Sequence, residues 1–160
     1  MLVIQVLVNS MTLNLNKGDV EMNNISFKRI WQDIDFFEIE LSACSDTVSA
    51  STKVYVTDDA IIELSKNLLS NIENKNFDFL WENGEKGNNS TPYVSLRFFN
   101  KDKLGHVFIE VYMEIDDDGP LDKHNCCFYI KTELGILNNF AKKIININSK
   151  DIDIKVQLID

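Results

Sequence analysis

Alternation of apolar and polar positions predicts β-strands over much of the chain. Between residues 37 and 43 every second side chain is apolar and the others are polar or charged, which is the period of a strand with one buried face. Residues 48–56 repeat this period after a short polar turn, so the two segments predict an antiparallel hairpin. Further strands are expected at residues 2–8, 11–15, 77–81, 94–98, 105–115, 125–131 and 151–159.

Two segments, residues 61–72 and 134–147, switch to the helical spacing of three and four residues, with apolar side chains along one stripe. Thr57 stands before the first segment and Thr132 before the second, and an acid follows each threonine. A threonine hydroxyl can accept a hydrogen bond from an unpaired amide of the first helical turn, and an acid there stabilises the positive end of the helix dipole. The sequence therefore predicts that these two threonines cap the two helices.

Runs of strands interrupted by two helices predict an α+β fold with a mainly antiparallel β-sheet and two amphipathic helices packed on one face. No linker rich in glycine, proline or serine divides the 160 residues, so a single domain over residues 1–160 is expected. Its N-terminal strands, within residues 1–31, are expected to form either a second layer or an edge.

The charge balance of the chain favours a basic partner. There are 25 acidic and 16 basic residues, which gives a formal net charge of -9 at pH 7. Nucleic acids and anionic membrane surfaces attract clustered lysine and arginine, so neither is expected as a partner. A hydrophobic content of 44% with only two prolines is typical of a folded globular protein.

Cysteine use and the N-terminal residues indicate a cytoplasmic protein. Cys44, Cys126 and Cys127 are odd in number and two of them are adjacent, which suits reduced thiols better than a disulfide framework. Residues 1–8 are apolar, but they have no basic flank, are too short to span a bilayer and lack a clear small-residue cleavage site. We therefore expect this segment to be a strand.

An acidic turn in the last third has part of the spacing of a calcium loop. Carboxylates at Glu114, Asp116, Asp118 and Asp122 fall at the first, third, fifth and ninth positions, with Gly119 at the sixth. The twelfth position is an asparagine instead of a bidentate glutamate, and the flanks alternate like strands. A solvated hairpin turn is favoured, and no metal and no other cofactor is expected.

One pair of residues offers a possible nucleophile and base. His106 and Cys127 lie on strands that are possible neighbours, and a cysteine nucleophile needs a base within hydrogen-bonding reach. The alternative is that the cysteine is a small buried hydrophobe, which is the more common state of a cysteine in a strand. No catalytic residue is predicted, because no other catalytic signature appears.

The sheet face away from the predicted helices is the best candidate for a partner-binding surface. Aromatic side chains alternate there with both signs of charge, a composition typical of protein interfaces. An Asn- and Gly-rich loop at residues 83–91 is a second candidate. The alternative is that the N-terminal strands cover this face as a second layer. The candidate residues are Arg97, Glu110, Tyr112 and Tyr129 on the face and Glu85, Lys86 and Asn88 in the loop.

The order of these features resembles a known family. Residues 103–106 (Lys-Leu-Gly-His) precede an alternating strand, an acidic Gly-Pro turn, another strand and a final amphipathic helix, and Trp31 leads into a strand near the start. Over residues 31–147 this layout resembles the WapI-type immunity proteins of bacterial contact-dependent toxin systems. The resemblance implies a cytoplasmic protein that binds and neutralises a cognate toxin domain without turnover.

The sequence thus predicts a non-catalytic protein-binding module whose partner is a toxin domain, expected to be basic. Two other classes stay open at this point. One is a small hydrolase or small-molecule-binding protein of unknown substrate, for which a concave pocket with converging titratable groups would be diagnostic. The other is a structural module that associates with itself through the same face.

Overall fold

The structure is a computed structural model that describes residues 23–74, 76–88, 92–116 and 123–160. Its helices are α1 (Asp58–Ile72) and α2 (Leu134–Lys143), the second continued by a 3-10 helix over Ile144–Asn148. Its strands are β1 (Asn24–Gln32), β2 (Phe37–Cys44), β3 (Ser49–Val56), β4 (Asp78–Asn83), β5 (Val94–Asn100), β6 (His106–Asp116), β7 (Lys123–Glu133) and β8 (Lys155–Gln157). The strands predicted at residues 2–8 and 11–15 lie outside the described residues.

The described strands form two antiparallel sheets, which confirms the α+β class. Sheet 1 has the order β3-β2-β1-β8 and sheet 2 has the order β4-β5-β6-β7. The number of sheets differs from the prediction: the strands form two sheets and not one, and both helices contribute to the core that the sheets share. Helix α1 lies between β3 and β4 in the chain, so these strands do not form a hairpin, and each becomes the edge of its own sheet.

The strand β1 was missed by the alternation pattern. It pairs with β2 on one side and with the short β8 on the other, so it lies in the interior of sheet 1. Ile25 and Phe27 face the core, but the next inward position is Arg29, which breaks the apolar alternation. Residues 24–32 are therefore an interior strand of sheet 1 and not an edge strand, while the N-terminal strands expected before residue 23 lie outside the described residues.

One hydrophobic core joins the two sheets and the two helices. The ring of Phe27 on β1 lies 5.9 Å from the ring of Trp81 on β4 and 5.9 Å from that of Phe140 on α2. The helices contact each other, and the Ser65 hydroxyl donates a 2.7 Å hydrogen bond to the Ala141 carbonyl across that contact. The faces of the sheets that point to this core are called the inner faces, and the opposite faces are the outer faces.

The two predicted helix caps have different outcomes. Thr57 caps α1 as predicted, because its hydroxyl accepts a 3.2 Å hydrogen bond from the Ala60 amide. The prediction for Thr132 is wrong. Strand β7 continues through Glu133, and Thr132 lies on its inner face opposite Val107, where its buried hydroxyl has no hydrogen-bond partner among the described residues.

Candidate functional site

Most of the predicted partner-binding residues lie together on the outer face of sheet 2. Cross-strand pairing places Arg97 of β5 opposite Glu110 of β6, and Glu110 opposite Tyr129 of β7. Tyr112 lies in the neighbouring row, between Ser95 and Cys127. These positions alternate with the buried residues of the same strands, so the pleat of the sheet directs all four candidate side chains outward.

Hydrogen bonds hold the polar groups of this outer face in place. The Arg97 guanidinium donates to both Asp78 oxygens, at 2.8 and 2.6 Å, and this bond holds the pKa of the Asp78 carboxyl below its usual range. The Tyr129 hydroxyl donates a 2.7 Å hydrogen bond to Glu110, which raises the pKa of the phenol. The face therefore presents fixed charges rather than freely rotating side chains.

Three aromatic rings form a cluster beside these charges. The ring centroids of Phe99 and Phe108 are 5.9 Å apart, and Tyr129 meets both edge-on at 6.5 and 6.3 Å. The Arg97 guanidinium lies 5.2 Å from the Phe99 ring, and the Lys101 ammonium lies 5.2 Å from the Phe108 ring. Tilted and edge-on aromatic rings with cations near their faces provide an amphipathic surface of the kind found in protein interfaces.

The loop that follows β4 lies against the same face. The Lys86 ammonium is 4.3 Å from the Tyr112 ring, and the Gly87 amide donates to both oxygens of Glu114, at 3.2 and 3.1 Å. Within the loop the Asn88 side chain donates a 3.0 Å hydrogen bond to Glu85. The face and the loop, which the sequence offered as separate candidates, therefore form one surface. Residues 89–91 of the predicted loop lie outside the described residues.

The possibility that His106 and Cys127 act as base and nucleophile is wrong. His106 pairs across the strands with Glu133, whereas Cys127 pairs with Tyr112. The two side chains are thus six residues apart along the ladder, or roughly 20 Å at the rise of a β-strand. Partial burial of the sulfur raises the pKa of the Cys127 thiol, and the nearby Glu110 carboxylate adds to this shift, so the thiolate needed for attack is disfavoured.

The Lys-Leu-Gly-His segment builds a turn between β5 and β6. One oxygen of Asp102 accepts hydrogen bonds from the Leu104 and His106 amides, at 2.8 and 3.4 Å, and the other lies 2.6 Å from His106 Nδ1. The bond to the imidazole is the main reason that the pKa of Asp102 is lowered. Gly105 has φ of +93°, which a residue with a side chain rarely adopts. This segment therefore has a structural role in the described fold.

The acidic turn with calcium-like spacing lies largely outside the described residues, which omit 117–122. Among the residues that the structure describes, no three His, Cys, Asp or Glu side chains lie close enough together to hold a metal ion. None of the helices in the described ranges has the length and apolar character needed to cross a membrane.

A second group of exposed aromatic side chains was not identified from the sequence as a site. Trp31, Phe36 and Tyr55 meet on the outer side of sheet 1, with ring centroids between 5.3 and 6.3 Å apart. Tyr55 lies on the exposed row of β3, and nothing in the linear pattern relates it to the two other rings. Their only sequence signal is the density of aromatic residues around the acidic turn at residues 33–36.

Comparisons of the chain with known protein families, with curated proteins and with solved structures found no match. Function is therefore inferred from the resemblance in the sequence and from the surface of this molecule.

Proposed function

We propose that this protein is a non-catalytic, cytoplasmic immunity protein that binds and neutralises a cognate toxin domain. The observation that carries the proposal is the surface formed by the outer face of sheet 2 and the loop after β4. There Arg97, Glu110, Tyr112 and Tyr129 lie beside the loop residue Lys86. The resemblance to WapI-type immunity proteins supports the same function.

The geometry of this surface suits binding without turnover. Its charged groups are already oriented by bonds within the protein, such as those from Arg97 to Asp78 and from Tyr129 to Glu110. A surface that is ordered before binding loses less side-chain entropy when a partner docks. Aromatic and arginine side chains of this kind are enriched among the residues that dominate binding free energy.

The net charge of -9 supports a basic partner. Domains that degrade RNA or DNA need basic clefts to hold their substrates, and an acidic inhibitor is attracted to such clefts over a distance of about one Debye length. The association rate of such a pair falls as salt rises, while affinity held by buried contacts changes less. Nucleic acid and membrane lipid are not proposed as partners.

The test is to express this protein with the toxin domain encoded beside it and to measure binding of the two purified proteins. We expect protection of the cells, a complex with an association rate that falls with salt, and unchanged affinity for His106→Ala. Replacing Tyr112 and Tyr129 together by alanine should weaken binding at least about 10-fold, since central aromatic residues typically contribute more than about 1 kcal/mol each. Leu104→Ala, an exposed change on another turn, serves as the control.

Two results would contradict the proposal in different ways. A hydrolytic turnover by the purified protein that is lost in His106→Ala, with no toxin bound, would favour the enzyme class. A stable oligomer that dissociates when Tyr112 and Tyr129 are replaced, again with no toxin bound, would favour self-association through this surface.

A further inference from the structure

The outer side of sheet 1 carries an exposed apolar surface at the β1–β2 turn. Trp31 is 44% exposed, Phe36 38%, Tyr55 51% and Ile34 96%. The four residues are called the aromatic patch below. Single exposed apolar side chains are ordinary, but a cluster of large ones on a folded protein is typical of an interaction surface.

A β-bulge places Trp31 in the aromatic patch. Inward positions on β1 follow every second residue up to Arg29, which pairs with the buried Ile39. The next pair is Trp31 with Glu38, so Ile30 is an extra residue in the ladder. One extra residue reverses the facing of everything after it, and Trp31 moves from the inner row to the outer row. Without the bulge, Trp31 would continue the buried row of β1; with it, the side chain is 44% exposed.

The tip of the turn is fixed although it is exposed. One oxygen of Asp33 accepts hydrogen bonds from the amides of Asp35 and Phe36, at 2.9 and 3.0 Å, and the Asp33 amide donates to the Phe36 carbonyl at 3.0 Å. These bonds form a closed turn that holds Ile34 outward. A contact made through this tip would therefore cost little ordering of the backbone.

Acidic groups flank the aromatic patch at the turn and on β2. Asp33 and Asp35 flank Ile34, and Glu38 lies between Trp31 and Tyr55 across the three strands. A cavity of about 280 Å³ adjoins the turn. The charged residues along its wall are the exposed carboxylates Asp33, Asp35 and Asp58, the exposed ammonium of Lys150 and the buried guanidinium of Arg29, which already donates to the Ile147 and Ser149 carbonyls. The electrostatic character of this region favours lysine and arginine side chains on a partner.

The aromatic patch differs from the outer face of sheet 2 in what a partner would displace. On the outer face, Arg97 already bonds Asp78 and Glu110 already bonds Tyr129, so a partner must replace bonds that exist. On the patch, most of the exposed surface is the apolar carbon of Ile34, Phe36 and the rings of Trp31 and Tyr55, and covering that carbon releases water without breaking a bond within the protein. The apolar anchor of an interface is therefore better provided by the patch.

The two surfaces are connected through the end of β4. The Asn83 side chain donates a 3.0 Å hydrogen bond to the Tyr55 carbonyl, and Asn83 leads directly into the loop whose Lys86 covers Tyr112. A chain of contacts thus runs from the aromatic patch to the outer face of sheet 2.

We propose that the aromatic patch is the apolar anchor for the basic toxin domain, with lysine or arginine side chains of that domain on Asp33, Asp35 and Glu38. This inference rests on the proposed function, since it takes the same toxin domain as the occupant. The patch extends the surface formed by the outer face of sheet 2 and its loop.

The test compares binding of the full chain and its variants to the purified toxin domain. Trp31→Ala with Ile34→Ser should weaken binding at least about 30-fold, the equivalent of a strong interface residue. Ile34→Ser alone cannot disturb the fold, because its side chain is 96% exposed, and it should weaken binding in the same direction. Leu104→Ser, which changes a side chain that is 83% exposed on another turn, should leave affinity within about 2-fold.

A second pair of variants tests the contribution of the acidic residues at the aromatic patch to association with the toxin domain. Asp35→Asn with Glu38→Gln should slow association and flatten its dependence on salt, because both carboxylates lie at the patch. Glu63→Gln with Glu73→Gln removes the same number of charges from exposed positions on and just after α1 and should have the smaller effect.

The outcomes separate this inference from the proposed function. If the Ile34 and Trp31 variants bind like the wild type while the Tyr112 and Tyr129 variant binds weakly, the anchor is not the patch, and the immunity function stands. If the wild type does not bind the toxin domain, both proposals fall. If the wild type is a dimer that Ile34→Ser dissociates while toxin binding is unchanged, the occupant is a second copy and this inference is overturned.

Discussion

The backbone amide of Leu134 donates a 2.8 Å hydrogen bond to the carbonyl oxygen of Gly105. This bond joins the first residue of α2 to the turn between β5 and β6, and it satisfies one of the amides that a helix start leaves unpaired. The residue preceding α2, Glu133, makes no side-chain capping bond. The turn at Gly105 thus takes over part of the role that the sequence pattern assigned to Thr132.

Gly105→Ala should destabilise the protein by about 1–2 kcal/mol, because alanine strains a backbone with φ of +93°. The added Cβ would lie 3.8 Å from Leu134 Cβ, an ordinary contact, so the cost comes from the backbone and not from a clash. Gly135→Ala is the matched control. It adds a Cβ with nothing within 4 Å, inside α2, and should stabilise by roughly 0.5 kcal/mol. Urea unfolding midpoints measure both, and equal shifts for the two variants would contradict the prediction.

Thr132→Val should leave stability unchanged or raise it by up to about 1 kcal/mol. The replacement keeps the shape of the side chain and removes a buried hydroxyl that has no partner within the described ranges. Thr57→Ala provides the comparison, and it should cost about 1 kcal/mol because it removes the cap of α1. The free energies of unfolding of both variants, measured by thermal or urea denaturation, test the prediction. A clear loss of stability in Thr132→Val would mean that this hydroxyl is bonded in solution.

The Arg97–Asp78 pair should contribute to stability at neutral pH and lose that contribution in acid. The pKa of Asp78 is lower in the folded protein than its usual value of about 3.9, so the unfolded chain takes up the proton first as pH falls. The contribution is complete above the unfolded pKa and disappears as pH falls through the folded pKa. It should be small, since both side chains are about half exposed.

Unfolding of wild type and Asp78→Asn at pH 7, 4 and 2.5 checks this dependence. The two proteins should differ most at pH 7, and the difference should shrink as pH falls toward 2.5. In an Arg97→Gln background the same substitution should show little dependence on pH, because the partner that lowers the pKa is gone. A difference that grows toward low pH would have the wrong sign for this pair.

The sequence by itself determined most of the elements and the facing of their side chains. Strand alternation and helical stripes are local periods, so the hairpin of β2 and β3, the stripe of α1 and the Thr57 cap could be read from neighbouring residues. The outward rows of β5, β6 and β7 followed in the same way, and with them the grouping of Arg97, Glu110, Tyr112 and Tyr129. These features depend on contacts between residues that are close in the chain or on a fixed period of two.

Tertiary structure decided how the elements combine. The division into two sheets, the interior position of β1 and the burial of Thr132 depend on pairings between distant strands, which a local pattern does not encode. The aromatic patch has the same origin, because an extra residue at Ile30 turns Trp31 outward and the β2–β3 register places Tyr55 beside it. A bulge leaves no mark in the alternation before it, and register is set by the packing of the whole sheet.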